Sequence, residues 1–146
     1  MPDTDRVRCR RLIEVVQAGG SLWIAQAGEL VLILPNAAGE QLILVWPSAQ
    51  AASEFIVARP QYAQFRPVER SLARWLESST PHLAQDGIFV APHPDVQSAS
   101  CLQVPARSFA LDLAAVPKLQ GADLSRLRQK LQRKQQREKA KRGQQP

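Results

Sequence analysis

Two histidines and two cysteines are the residues of this sequence best suited to metal binding or nucleophilic catalysis. A metal site needs several nitrogen, sulfur or oxygen ligands that converge at short range. Neither cysteine lies within a ligand-like spacing of His82 or His93. The segment "HPD" at 93–95 is instead typical of a proline-bounded surface turn. We therefore expect no metal and no other cofactor.

The cysteines and serines lack the pattern of an activated nucleophile, which needs a neighbouring base. The segment "GGSLW" has no second glycine of a G-x-S-x-G elbow and precedes a predicted strand instead of a helix. Cys9 falls on the apolar side of a predicted helix, where a thiol acts as a small hydrophobe. Cys101 lies in a strand-like run with no basic neighbour to lower its pKa. The sequence therefore contains no recognisable catalytic constellation: it does not support an enzyme, and it does not exclude one.

The basic residues are divided unevenly along the chain. Residues 1–116 hold nine Arg and no Lys against eleven Asp and Glu, a net charge of −2. Residues 117–146 hold ten Lys and Arg against two Asp and Glu, a net charge of +8. The two parts sum to the +6 of the 146-residue chain. This change predicts one domain over 1–116 and a basic C-terminal arm over 117–146.

The arm is the strongest functional signal in the sequence, because segments rich in Lys and Arg commonly bind nucleic acid by neutralising phosphates. It contains no aromatic residue for base stacking, so such contacts would be electrostatic and weak in sequence preference. A solvated tail, an acidic protein partner or a membrane surface are the alternatives. The expected contact residues are Arg126, Arg128, Lys130, Arg133, Lys134, Arg137, Lys139, Lys141 and Arg142.

The arm is also expected to start as a helix. Asp123 suits an N-cap, and Leu124, Leu127 and Leu131 follow at a helical spacing. These leucines would dock on the body or pair with a second copy of the chain as a homodimer. Beyond Leu131 the apolar side is lost, so we expect a disordered basic end.

Periodicity places a helix and then three short apolar runs in the first part of the body. The helix is capped by Thr4 and stopped by glycines at 19–20. The runs "SLWIAQ", "ELVLIL" and "QLILVW" predict an antiparallel meander, with the second and third runs covered on both faces. Pro47 ends the third run and suits the first turn of the helix "SAQAASEFIVA".

The second part of the body alternates short elements. "YAQFRPV" predicts an edge segment because of Pro67, and "SLARWLESS" a short helix. "DGIFVAP" and "SCLQV" predict short strands, and Pro105 opens a helix in which no single face is clearly buried. The fold class expected is α+β: a short antiparallel meander sheet packed with several helices, plus the basic helical or disordered arm.

Three tryptophans lie within apolar patterns, which is typical of indoles that pack in a core and donate their N–H at its rim. The junction of Trp46 and Pro47 is the first place to expect a pocket in the body. An unrecognised hydrolase or ligand-binding enzyme would need a carboxylate and a histidine to converge near Trp46.

Four segments of the body resemble a bacterial family called domain of unknown function 2750: "GGSLWIAQ", "LVWPSAQAASEF", "VERSLARWLE" and "HLAQDGIFVAPHP". The resemblance covers about residues 21–116 and excludes the arm. It implies a small α+β fold, and it brings no activity, cofactor or catalytic residue.

The leading functional hypothesis is a cytoplasmic, non-enzymatic binding or adaptor module whose arm contacts RNA, DNA or an acidic protein. The alternative is a protein-interaction domain, of the accessory or immunity-like kind, that acts through its body while the tail only solubilises it. The N-terminus carries acidic residues and the apolar runs are five residues long, so we expect neither a signal peptide nor a membrane span.

Overall fold

The computed structural model describes residues 4–115, which begin with helix α1 (Asp5–Gly19). The Thr4 hydroxyl accepts a hydrogen bond from the Val7 N–H at 3.1 Å, which satisfies one of the free donors of the first turn. Gly20 ends the helix in the left-handed conformation at φ 77°, where its N–H donates to the Val16 carbonyl. Both helix boundaries follow the sequence signals.

The three apolar runs form two antiparallel hairpins. Strand β1 (Ser21–Ala27) pairs with β2 (Leu30–Val31), and β3 (Ile33–Pro35) pairs with β4 (Gln41–Val45). The middle run is divided at Leu32, where the chain leaves one sheet and enters the other. The hairpins therefore agree with the predicted meander, but its central strand is shared between two sheets.

Helix α2 (Ala49–Val57) follows β4, and its N-cap is Ser48, whose hydroxyl accepts from the Ala51 N–H at 3.1 Å. Pro47 therefore precedes the cap, and the expectation that it occupies the first helical turn is wrong by two positions. Ser48 is the N-cap because its side-chain oxygen accepts a hydrogen bond from a helical N–H, which the proline side chain cannot do.

A 3-10 turn (Pro60–Tyr62) leads from α2 to strand β5 (Arg66–Ser71). β5 pairs antiparallel with β1 along its whole length and has no further neighbour in its sheet, whose order is β2-β1-β5. Pro67 is tolerated in β5 because an edge strand does not need every N–H for a ladder.

The segment "SLARWLESST" is more elaborate than the predicted short helix. It contains α3 (Leu72–Arg74) and a π turn (Trp75–Ser79), and α4 (Thr80–Gln85) begins at its last residue. Strands β6 (Phe89–Pro92) and β7 (Val104–Pro105) follow.

Helix α5 (Ala106–Ala114) closes the described part of the chain. The Gln17 side-chain amide donates to three carbonyls at its C-terminal end: those of Asp112, Leu113 and Ala115, at 3.1, 3.3 and 2.8 Å. Because the last carbonyls of a helix have no intrahelical partner, this amide replaces a C-terminal cap and fixes α5 against α1.

The second sheet has the order β3-β4-β6-β7 and is mixed, since β4 and β6 run parallel. The two sheets meet at Trp23 and Trp46, which exchange backbone hydrogen bonds of 2.9 and 2.8 Å. The predicted meander implied a wholly antiparallel sheet, and this second sheet is not. The chain from α2 to α4 connects β4 to β6 and forms the long crossover that a parallel pair requires.

Strand β4 lies between two hydrophobic clusters. Ile43 and Val45 point into one, which is covered by α1, α5 and the helical segment 72–85. Leu42 and Leu44 point into the other, which is covered by α2 through Phe55. The prediction of burial on both faces is confirmed for this third run, but it is wrong for the second run, where Leu30 is 64% exposed. The α+β class is confirmed.

Candidate functional site

The predicted pocket position at Trp46 is a packing position. The indole is fully buried, and its ring lies 5.4 Å from the ring of Phe55, centroid to centroid. The Trp46 and Trp75 indole N–H groups find no acceptor among residues 4–115, unlike the rim position expected of a tryptophan. Neither Trp46 nor Pro47 lines any of the four pockets described for these residues. A pocket at their junction stays a prediction.

The two histidines lie on different elements. His82 is exposed on α4. His93 follows β6 in a loop, and its backbone N–H donates to the Val45 carbonyl at 2.8 Å. Within the described part of the chain, no three His, Cys, Asp or Glu side chains group closely enough to hold a metal ion. His93 takes a positive φ of 47°, which is consistent with the predicted turn.

Both cysteines are held in the unreactive thiol form. Burial raises the pKa of the Cys9 thiol to about 11, with a smaller contribution from Asp112. Burial also raises the pKa of Cys101, and the Asp5 carboxylate adds to this while Arg8 opposes it. Cys101 lines an apolar pocket of about 360 Å³, but a thiol with a raised pKa is a poor nucleophile there.

Arg8 is buried and fastens the loop after β6 to α1. Its Nε donates to the His93 carbonyl at 3.1 Å, and its Nη2 donates to the Ser100 carbonyl at 3.0 Å. The same guanidinium pairs with the Asp5 carboxylate and approaches Asp95 Oδ1 at 3.8 Å. This cluster uses its charges internally, so it is a structural clasp.

The loop held by Arg8 is organised by Asp95. The Asp95 carboxylate accepts from the backbone N–H and the hydroxyl of Ser98 at 2.9 and 3.0 Å, and from the Gln97 N–H at 3.1 Å. These hydrogen bonds, the Ser98 N–H first, lower the pKa of Asp95. The segment "HPD" is thus turn chemistry, as its sequence indicates.

A different group of residues forms a pocket of about 390 Å³ beside the π turn, here called the Arg70–Arg74 pocket. Its apolar wall comes from β2, β3, β4, α4 and the turn before β6, and it consists of Val31, Ile33, Ile43, Leu83 and Ile88. Its polar wall comes from β5 and the helical segment and consists of Arg70, Arg74, Ser78, Ser79, His82 and Asp86.

Strand pairing places Arg70 at this pocket. Arg70 lies opposite Leu22 of β1, and directly opposed residues of an antiparallel pair share a sheet face. Leu22 is fully buried in the core, so the half-buried Arg70 points inward at the core margin. Burial lowers the pKa of Arg70, and the charge of Arg74 lowers it further.

The π turn supplies the partner of Arg70. Pro81 has no N–H to donate to the carbonyl four residues earlier, so the helix widens by one residue at this point. The Thr80 backbone N–H donates to the Trp75 carbonyl, five residues earlier, as in a π helix. The Thr80 hydroxyl donates to the same carbonyl at 2.8 Å. The wide turn leaves Ser79 buried, and its hydroxyl accepts from Arg70 Nη1 at 3.0 Å.

Sequence reasoning missed the Arg70–Arg74 pocket. The segments "VERSLARWLE" and "SLARWLESS" indicated a family motif and a short helix, and neither reveals that a strand arginine faces inward. Two signals were available in the sequence. Arg70 stands two residues after Val68, so both side chains lie on the same face of the strand, and Ser-Ser-Thr-Pro at 78–81 spans the start of α4. Only the β1–β5 register joins these two observations.

The family model for a protein of unknown function (DUF2750) matches residues 9–113. The chain belongs to this family. No curated protein matches the chain, and no solved structure matches it either.

The match to DUF2750 begins earlier than the resemblance from Ser21 suggested and takes in most of α1. It covers both hydrophobic clusters and the whole Arg70–Arg74 pocket. The arm is outside it, and the nine predicted contact residues lie outside the described residues. Among residues 4–115 no helix has the length and apolar character that a bilayer crossing requires.

Proposed function

We propose that this chain is a non-enzymatic binding module whose basic C-terminal arm contacts RNA or another polyanion. The observation that carries the proposal is the division of charge, with +8 in residues 117–146 and −2 in residues 1–116. A polyanion that meets both parts is attracted by one and weakly repelled by the other. The arm is therefore the part expected to bind.

Counterion release provides the driving force. Each Lys or Arg that neutralises a phosphate frees a condensed cation, so the affinity falls steeply with added salt. The arm offers nine such residues between 126 and 142 and no aromatic side chain. Binding is then tight at low salt and nearly indifferent to base sequence.

Several arginines of the body are committed to internal contacts, which supports this assignment. Arg8 is held in the clasp described above. Arg59 stacks over the Phe55 ring at 3.8 Å and donates to the Val96 carbonyl at 2.9 Å. A guanidinium held in this way has fewer donors for a phosphate.

The test compares the full chain with two others in RNA and DNA binding at low and raised salt. One ends at Val116, and the other keeps its length while the nine Lys and Arg between 126 and 142 are replaced by Gln. Salt-dependent binding by the full chain alone supports the proposal. Equal binding by all three, or binding of the full chain that ignores salt, contradicts it.

Partner capture with the same chains separates this function from the interaction-domain alternative. A partner retained by the chain that ends at Val116 would place function on the body. A partner lost with the arm, and lost again on treatment with nuclease, favours RNA or DNA in a cytoplasmic setting.

The proposed homodimer contact through Leu124, Leu127 and Leu131 falls outside the described residues. Its test is the concentration dependence of the molecular mass after replacing all three leucines by Ser.

A further inference from the structure

The Arg70–Arg74 pocket has an excess of positive charge that residues 4–115 do not neutralise. Neither arginine is paired with a carboxylate among residues 4–115. Asp86 is the one acidic side chain in its wall, so two guanidiniums face one carboxylate. One further negative charge in the pocket would therefore balance its charged side chains.

The two guanidiniums also repel each other. Both residues line the pocket, and the charge of Arg74 adds to the effect of burial in lowering the pKa of Arg70. An anion between them would relieve this repulsion and form charge-assisted hydrogen bonds, which are stronger than neutral ones. Arg70 donates to Ser79 at 3.0 Å, so its guanidinium is already oriented before a ligand arrives.

The opposite wall is aliphatic. Ile33, Ile43 and Ile88 expose side-chain carbons to the same space, and no Phe, Tyr or Trp is among the lining residues. The aliphatic wall suits an alkyl chain, whose carbons it would remove from water. The volume of about 390 Å³ lies in the lower range of small-molecule sites.

We infer that the Arg70–Arg74 pocket binds a small organic monocarboxylate, with its carboxylate between Arg70 and Arg74 and its apolar chain against the isoleucines. One negative charge matches the charge balance of the polar wall, and a short aliphatic chain matches the opposite wall. This binding is separate from polyanion binding by the arm, and the body alone supplies every residue of the site.

The experiment titrates the full chain with hexanoate and follows backbone amide shifts by NMR. Hexanoate should shift residues of the pocket, and acetate and hexanamide should bind more weakly because each lacks one half of the recognition. Arg74→Gln and Arg70→Gln should each weaken hexanoate binding about tenfold or more. Arg74 is exposed, so its variant is expected to fold even if the Arg70 variant does not.

Arg66→Gln is the matched control, because Arg66 lies exposed on the same strand and outside this pocket. It should bind hexanoate as the unaltered chain does, and it retains the whole basic arm. Equal weakening by Arg66→Gln and Arg74→Gln, or equal binding of hexanoate and hexanamide, would overturn the inference. Hexyl phosphate bound in place of hexanoate would overturn the assignment of a monocarboxylate. If hexanoate shifts none of the backbone amide signals of the pocket residues, the inference is overturned, and Arg70 has only its structural contact with Ser79.

Discussion

At the scale of single residues, Arg8 shows how a buried charge can be used for structure. Its guanidinium replaces the missing partners of two loop carbonyls and meets two carboxylates. The sequence did not reveal this role, because Arg8 lies in a run of four arginines among residues 6–11 that resembles a solvated helix face. Only the contact of residues 93–100 with α1 distinguishes Arg8 from the other three arginines of this run.

Replacing Arg8 by Met should lower the free energy of unfolding by about 2–3 kcal/mol, because the loop carbonyls and carboxylates lose their partner. This is below the range for a fully buried pair, since Asp5 and Asp95 are partly exposed. The free energy of unfolding of Arg8→Lys should lie between those of the unaltered chain and Arg8→Met, because an ammonium keeps the charge but cannot reproduce the forked geometry. Urea denaturation of the unaltered chain and the two variants measures these free energies.

The control for this change is Arg10→Met on the exposed side of the same helix, expected to alter stability by less than about 0.5 kcal/mol. Similar losses for Arg8→Met and Arg10→Met would show that the clasp does not stabilise the loop.

Cys9 gives a pH-dependent prediction. Its pKa is about 11 in the folded chain against an ordinary value of 9.0, so the unfolded chain releases this proton first as the pH rises. The stabilising contribution is complete below pH 9 and is lost between pH 9 and about 11. The urea midpoint of the unaltered chain should therefore fall more between pH 8 and pH 10.5 than that of Cys9→Ala.

Parallel loss of stability in both chains would contradict the raised Cys9 pKa. The sequence placed Cys9 on the buried helix face correctly, because helical periodicity depends only on local spacing.

At the scale of elements, α5 shows where periodicity was insufficient. Phe109, Leu111 and Leu113 are spaced evenly enough that no face could be chosen from the sequence. The structure buries Phe109 and Leu113 together with Ala106, whereas Leu111 is 72% exposed. The choice is made by α1 and α4, which pack against one side of α5.

Leu113→Ala should therefore cost about 2–4 kcal/mol of unfolding free energy through lost burial and a residual cavity. Leu111→Ala makes the same chemical change on the same helix and should cost less than about 0.5 kcal/mol. Thermal or urea denaturation of both variants tests this, and equal effects would mean that α5 turns a different face to the core.

The π turn is the element that sequence reasoning could least anticipate. Its cause is local, because Pro81 removes one helical donor, but its consequence is distant, because Ser79 meets Arg70 of another element. The strand break at Leu32 has the same character. A run that is apolar on both faces does not show where a chain changes sheets.

At the scale of the whole molecule, the sequence predicted the α+β class but not the parallel pairing of β4 and β6. The hairpins follow from turn residues close by, whereas the parallel pair joins strands more than forty residues apart in sequence. The family match and both hydrophobic clusters describe the body, and the charge division describes the arm. The body and the arm are therefore expected to bind different ligands.

The most direct test of the polyanion proposal is the slope of log affinity against log salt for single-stranded RNA. If each of the nine Lys and Arg between 126 and 142 neutralises one phosphate, the full chain should give a slope of about −6. The chain that ends at Val116 should give a slope near zero at any measurable affinity. A slope for the full chain equal to that of the shortened chain would contradict the proposal that the arm binds RNA.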